Sequence, residues 1–502
     1  MSCFASCKKV AQRALLMVGV GLAVAGAKPV EAPANAASAS LDSALRVQIE
    51  AHRLRGRPGL AADVPPPEAP MVVLGRELFF SKALSGDGKV SCASCHHPLL
   101  AGGDALSLPV GVDAAAPDVL GPARRYDAHA GATVDPHAAA GPNVPRNSPT
   151  IINSSLYRKT IFFDGRVQKR GPIGIRSPES VRDRGRDMLA VQARLPVVAE
   201  DEMRGYRWLR FEPPDAVREQ LVDRLRKDWQ AAFARAFGDA EVGPASVTFE
   251  RMELALSDYQ SSFVLTDNPW FRYIEGDVTA LTPAAKRGAL LFYRAEQAGG
   301  LGCAACHQGD FFTDEKFHVL AMPQIGRGIK RAAPGFGNAT VRDGTDLGRW
   351  ESTRRKSDRY AFRTPSLLNI AETGPYGHAG TYASLDAVIR HHLDPVGAIA
   401  GFDFALQHLA QFRGRPDLYP RAAANTAAAL EVWKTQGRPA RSATDAQIAD
   451  LVAFLDALTD DCIGSQKCMS RWMPDPSVPS PDGARAEFVD ASGRSLRDIQ
   501  LQ

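Results

Sequence analysis

Two short cysteine motifs constrain this chain more than any other feature: Cys92-Ala-Ser-Cys95-His96 and Cys303-Ala-Ala-Cys306-His307. A CxxCH run holds two thiols where they can add to the two vinyl groups of one haem. It also sets the next histidine to reach the iron as proximal ligand. The alternatives explain less. A CxxC redox site has no need of the histidine, and a zinc site needs further thiolates nearby. The chain is therefore expected to carry two covalently bound c-type haems, on Cys92, Cys95 and His96 and on Cys303, Cys306 and His307.

The other cysteines fit an exported protein. Lys8, Lys9 and Arg13 precede an apolar run from Ala14 to Ala27, which has the layout of a secretory signal over residues 1–27. Ala25-Gly26-Ala27 and Ala34-Asn35-Ala36 are both possible cleavage sites. An uncleaved anchor is the alternative, but the run is shorter than the about 20 residues a spanning helix needs. Cys3 and Cys7 leave with the signal. Cys462 and Cys468 have no histidine after them and read, in an oxidising compartment, as a small disulfide loop closing the last helix; a functional thiol pair is the alternative. The expected location is the periplasm.

The 502 residues leave room for two to four domains. Hydrophobic residues at 45% and charged residues at 23% exclude wholesale disorder. The net charge of +4 is too balanced for a nucleic-acid binder that works by phosphate neutralisation. With its only long apolar stretch at the N-terminus, the chain is not expected to be an integral membrane protein.

Residues 28–69 are rich in Ala and Pro and read as a flexible lead with one helical stretch, Leu41–Arg53. A first haem domain spans 70–270 and a second 271–465, followed by a tail over 466–502. Residues 101–146 lack periodicity and form a long loop, a kind that is usually functional. Residues 167–187 are a second irregular segment, and basic. Asp215–Phe237 and Ala245–Leu265 have helical apolar spacing. Thr282-Pro283 opens a helix expected to run up to Cys303. Thr444 to Gln447 forms a capping-box pattern before the periodic run Ile448–Leu458. The fold class is mainly α: two cytochrome c-like haem domains with long irregular loops.

Several separate motifs, in order, resemble the bacterial di-haem cytochrome c peroxidase family, which includes the MauG-type enzymes. They are Ser91–Pro98, Arg146-Asn-Ser-Pro-Thr150, Phe163-Asp-Gly-Arg166, Glu202-Met-Arg-Gly205 with Gln192 and Pro196 before it, Gly302–His307, and Arg363–Asn369 followed by Pro375-Tyr-Gly-His-Ala-Gly380. The likeness runs from about residue 70 to 460. It implies that the N-terminal haem reacts with hydrogen peroxide and the C-terminal haem passes electrons.

The same resemblance assigns roles. Glu202 matches the catalytic glutamate that moves a proton between the peroxide oxygens, and Gln192 would orient peroxide or water; taken alone, Glu202 reads as a solvated helix residue in an acidic run. His137, or less closely His129, matches a loop histidine that caps the first iron in many members. His392 stands where the family places the distal ligand of the second iron, a Met or a Tyr. Its neighbour His391 points about 100° away on the helix. His378 lies near this haem without ligating it. Phe163 replaces the usual tryptophan between the haems, which leaves the electron route open; Trp208, Trp229, Trp270, Trp350, Trp433 and Trp472 read as packing. Arg166 would pair with a haem propionate or Asp164. Asn147, Thr373 and Pro375 match the ligands of a calcium ion between the domains, with a helix cap as the alternative for Asn147.

Two activities follow. One is a periplasmic peroxidase that takes electrons from a small cytochrome or copper protein. The other is a MauG-like or methanobactin-associated type of enzyme that oxidises Trp or Tyr of a partner protein. Phe163, His392 and the 167–187 segment depart from the peroxidase pattern and keep the second open beside the first. A plain electron-transfer cytochrome is the non-enzymatic alternative, against which Gln192 with Glu202 argues.

Overall fold

The computed structural model describes residues 34–57, 64–127, 141–171, 174–178, 187–205, 212–329, 331–332, 340–341, 343–490 and 492–495. The expected signal peptide, His129, His137 and Trp208 lie outside them.

Helices dominate. Those of the first half are α1 (Ala34–Ala51), α2 (Pro70–Phe80), α3 (Met188–Ala193), α4 (Pro214–Leu225), α5 (Gln230–Phe237), α6 (Phe249–Ser262) and α7 (Pro269–Ile274). The second half has α8 (Pro283–Tyr293), α9 (Trp350–Thr353), α10 (Leu385–Leu393), α11 (Pro395–Ala400), α12 (Ala422–Lys434), α13 (Asp445–Asp456) and α14 (Gln466–Met469). Small antiparallel sheets join β1 (Thr160–Ile161), β2 (Val167–Arg170) and β3 (Gly174–Arg176), then β4 (Phe317–Val319) with β7 (Ala361–Arg363), and β5 (Arg331–Ala332) with β6 (Thr340–Val341).

One packing device occurs twice. Helix α2 starts at a proline, which fits a helix N-terminus because its missing N–H is unneeded there. It buries Val72, Leu74, Leu78, Phe79 and Phe80 and crosses α6. The crossing is so close that a Cβ on Gly75 would meet the Ala255 carbonyl oxygen at 1.9 Å. Helix α8 also begins at a proline, with Thr282 accepting from the Ala285 N–H. It crosses α13, where a Cβ on Gly288 would meet the Asp450 carbonyl oxygen, again at 1.9 Å. In each half this crossing of an early and a late helix holds the core, and the CxxCH turn follows the early helix. Separate clusters fill the two cores, one around Leu78, Trp229 and Phe263, the other around Trp270, Phe292 and Phe454.

The ends of the chain cross over. Leu45 and Leu54 are buried in the second core, and Asp42 accepts from the Tyr273 hydroxyl at 2.8 Å and pairs with Lys286 at 2.7 Å. The lead thus carries a docked helix, because its apolar stripe finds a partner far along the chain. The tail returns to the first core: Trp472 stacks on Phe263 at 4.6 Å, and Phe488 packs against Phe80 and His97.

Other boundaries also differ from expectation. Helix α8 stops at Tyr293 rather than reaching Cys303, because Arg294 is extended and Gly299 and Gly302 take left-handed conformations. Asp215–Phe237 is two helices, with Trp229 as the N-cap of α5. The 245–265 helix begins at Phe249, capped by the Thr248 hydroxyl. The basic segment contains the β2–β3 hairpin. The capping box before α13 is present, with Thr444 and Gln447 bonding reciprocally, and Cys462 is bonded to Cys468. Among the described residues no helix is long and apolar enough to cross a membrane.

Candidate functional site

A cavity of about 1300 Å³ runs through the seam between the two cores, and both CxxCH turns line it. Each turn is a single 3₁₀ turn, Cys92–Ser94 and Cys303–Ala305. The four thiols are free, unlike the bonded pair Cys462–Cys468. Burial pushes Cys92 up to about 12 and Cys303 up to about 11, so both stay protonated. Free, half-buried thiol pairs at both ends of one cavity fit two thioether-linked haems.

The histidine geometry fits as well. His307 holds its Nδ1 3.1 Å from the Phe312 carbonyl. That bond fixes the tautomer and leaves Nε2 as an acceptor. His96 is held in a similar way, with Nδ1 3.2 Å from the Gly102 carbonyl and 3.2 Å from the Ser148 hydroxyl. Ser148 in turn donates to the Cys95 carbonyl at 2.6 Å. Burial lowers the pKa of His96, and burial with the nearby His392 brings His307 down to about 4; both are neutral, as iron ligands must be.

At the first end, Glu202, Gln192, Pro196 and Arg166 share the cavity wall with His96. Glu202 lies in a π-helical turn, Glu200–Arg204, closed by Gly205 with a positive φ. Gly111 lets this turn approach, since a Cβ there would meet the Asp201 carbonyl oxygen at 2.0 Å. Glu202 is half-buried and faces the cavity rather than bulk solvent. Burial raises its pKa, while Arg166 pulls it back and Asp201 raises it further. Gln192 is half-buried near the end of α3.

At the second end, α10 carries both histidines, and their surroundings separate them. His392 lines the cavity with His307. Its Nδ1 is 2.7 Å from the Val388 carbonyl one turn back, which leaves Nε2 for the cavity. His391 is fully buried elsewhere, with Nδ1 2.7 Å from the Tyr382 hydroxyl and Nε2 2.8 Å from the Leu320 carbonyl. Both of its ring nitrogens are engaged.

The seam between the ends is strongly charged. Arg146 bridges the halves, binding Asp346 at 2.6 and 2.8 Å and Asp164 at 2.8 Å. Arg166 pairs with Asp164 at 3.1 Å. Burial alone would raise the Asp164 carboxyl, but Arg166 and Arg146 hold it well below the usual range. His378 also lines the cavity; it stacks on Phe362 at 3.8 Å, the Arg146 guanidinium lies over the same Phe362 ring at 5.8 Å, and burial lowers the His378 pKa to about 4. Phe163 is half-buried in the same wall, its carbonyl accepting from the Arg363 N–H at 2.8 Å.

Asn147, Thr373 and Pro375 share the cavity wall too. The Asn147 amide donates to the Leu106 carbonyl at 2.8 Å, and its backbone N–H to the His378 carbonyl at 2.9 Å. It caps no helix, and its side-chain oxygen makes no hydrogen bond among the described residues. That free oxygen is an uncharged donor of the kind a hard cation takes. Of the tryptophans, Trp229, Trp270 and Trp472 pack in the cores, Trp350 is half-buried on the surface, and Trp433 lines the cavity. Sequence reasoning had no signal to single out Trp433, because α12 has no motif.

Known proteins share this pattern. The family described as di-haem cytochrome c peroxidase matches residues 69–279. The methylamine utilization protein MauG of Methylorubrum extorquens is 31% identical over 397 residues, covering 76% of this chain and 87% of that protein. The cytochrome-c peroxidase IdrP1 of Denitromonas iodatirespirans is 30% identical over 346 residues, covering 65% of this chain and 73% of its own. Among solved structures, a MauG-like protein associated with microbial copper homeostasis superposes with a TM-score of 0.51 at 24% identity, covering 85% of this chain and 98% of its own. That likeness concerns the fold.

Proposed function

Because this chain belongs to the di-haem cytochrome c peroxidase family of oxidoreductases, we propose that it is a periplasmic peroxidase that reduces hydrogen peroxide to water with electrons from a small cytochrome or copper protein. The observation that carries the reading is the cavity wall at the first end, where a half-buried carboxyl of raised pKa stands with Gln192 beside a CxxCH turn.

Residues 70–270 form the peroxidatic domain and 271–465 the electron-transfer domain. Cys92, Cys95 and His96 would hold the first haem, and Cys303, Cys306, His307 and His392 the second. When bound, the haems supply the redox centres at which peroxide is reduced and electrons are taken in. Gln192 orients peroxide through its amide. Glu202 takes the proton from one peroxide oxygen at its carboxylate and returns it to the other, so that water is the leaving group. Burial keeps this carboxyl in exchange at a higher pH than an exposed glutamate. His392 closes the second end against peroxide. A second imidazole there, in place of a methionine thioether, lowers the potential. Asn147, Thr373 and Pro375 would hold a calcium ion at the seam.

A second reading has support in Phe163 and in the similarity to MauG: the same oxidising power acts on Trp or Tyr of a partner protein. Steady-state peroxide consumption by the holoenzyme, with a reduced small cytochrome as donor, separates the two. Fast turnover is expected. Negligible turnover, with oxidation of a protein substrate instead, would overturn the peroxidase reading.

A further inference from the structure

The β2–β3 hairpin belongs to the first half and helix α9 to the second, yet they form one surface. The Arg176 guanidinium donates to the Ser352 carbonyl. Arg349 donates to the carbonyls of Asp164 and Gly165 at 2.9 and 2.7 Å and to the Gln168 side chain at 2.7 Å. From this joint Lys169, Arg170, Arg354, Arg355, Lys356 and Arg359 stand exposed. Among the described residues, Lys169, Arg170, Arg355 and Lys356 have no carboxylate partner. Arg354 pairs with Glu351 at 3.2 Å and lies over the Trp350 ring at 4.4 Å.

We propose that this basic ridge, formed by the β2–β3 hairpin and residues 350–359, is the docking surface for an acidic redox protein.

Its charge is local. The whole chain carries 60 basic and 56 acidic residues, so the ridge is an excess that the rest of the molecule offsets. Near Cys303, by contrast, Arg441 pairs with Glu296 at 3.4 Å. Like charges gathered without counter-ions work against the compact state. Burial, followed by the Arg176 charge, already lowers the pKa of Arg349 beneath the ridge. An anionic partner relieves that repulsion and is steered toward the surface by it.

The ridge is also in the right place. Arg176, Ser352 and Arg354 line the cavity together with Arg166 and Phe162, so a protein seated there sits at the rim of the redox cavity. Position beside a redox site favours a redox protein over a nucleic acid or a membrane, for which that location has no use. The assignment rests on the peroxidase reading and adds the partner's charge and its place of contact.

The test uses the full-length holoenzyme and the variant Lys169→Glu/Arg170→Glu/Arg355→Glu/Lys356→Glu. The probes are two reduced small c-type cytochromes, one acidic and one basic. Binding is read by titration calorimetry without peroxide. Turnover is read with each cytochrome and with a small-molecule electron donor. Tighter binding of the acidic cytochrome to the wild type is expected, weakening as salt rises. In the variant its binding and kcat/KM should fall by about tenfold or more with the salt dependence lost, for a steering effect of ordinary size. Small-molecule turnover should be unchanged. Equal binding by wild type and variant would overturn the proposal, as would preference for the basic cytochrome, or binding of a DNA duplex or anionic vesicles in place of the acidic cytochrome. Loss of small-molecule turnover in the wild type would instead count against the peroxidase reading, because the calorimetric result stands without it.

Discussion

At the first end of the cavity His96 shares its space with Glu202, Gln192 and Arg166; at the second, His307 shares its space with His392. Both ends are built on the same plan, with a proline-started helix, a glycine crossing and a 3₁₀ turn of CxxCH. The difference comes from the other wall. The first end receives a short π-helical turn that ends in glycine and presents a carboxyl of raised pKa. The second receives a nine-residue helix whose imidazole is tied to its own backbone one turn back. A carboxyl of raised pKa can trade protons with a small substrate, whereas an imidazole whose Nε2 is spent on a metal would have no site left for one. The repeated part of the chain thus supplies two CxxCH turns in one cavity, and the parts that are not repeated set what surrounds each.

The largest effect on this comparison should come from removing one attachment. Cys303→Ser with Cys306→Ser should leave one covalently bound haem per chain, seen as a mass loss of one haem, while the first end keeps its own. A mass unchanged from the wild type would mean that the second turn attaches nothing.

Next in size is the acid. Glu202→Gln should retain both haems and slow the peroxide reaction by about 10²–10⁴-fold, the usual worth of a positioned proton-transfer group. The pH profile sharpens the point. The carboxyl must be deprotonated to accept the peroxide proton, and its folded-state pKa is raised. The wild-type rate should therefore climb with pH through a value above the ordinary glutamate range, and the variant should lose that limb. Identical profiles would remove Glu202 from the reaction.

A smaller effect is expected at His391. Its loss strands the Tyr382 hydroxyl and the Leu320 carbonyl, at a cost of about 1–3 kcal/mol. His391→Ala should lower the melting temperature and leave the absorption spectrum of the second haem as it was. A changed spectrum would mean that the two histidines have been assigned the wrong way round.

The legible parts of the molecule were those coded locally. CxxCH spacing, the capping box at Thr444 and Gln447 and the Cys462–Cys468 loop each need only a few adjacent residues, and the structure carries the last two as read. The resemblance to the family singled out His392, the 100° step of a helix adding only that His391 must face elsewhere; in the structure His392 lines the cavity and His391 does not. What escaped depended on distant partners. The stripe of Leu41 and Leu45 says that α1 is amphipathic but not that it docks on the second core. The strands β1 to β3 are two to four residues long, too short for alternation to register, so the hairpin under the basic ridge looked irregular. The Arg146 bridge to Asp164 and Asp346 joins residues with no shared motif. The glycines that ended α8 early were visible, but their left-handed conformations were not.

His392 is proposed to close the second end while the first stays available to peroxide. Electron paramagnetic resonance of the resting holoenzyme, beside His392→Ala, tests it most directly. A low-spin signal is expected in the wild type from the iron held by His307 and His392, replaced by a high-spin signal in the variant. A low-spin signal that survives the substitution unaltered would contradict it.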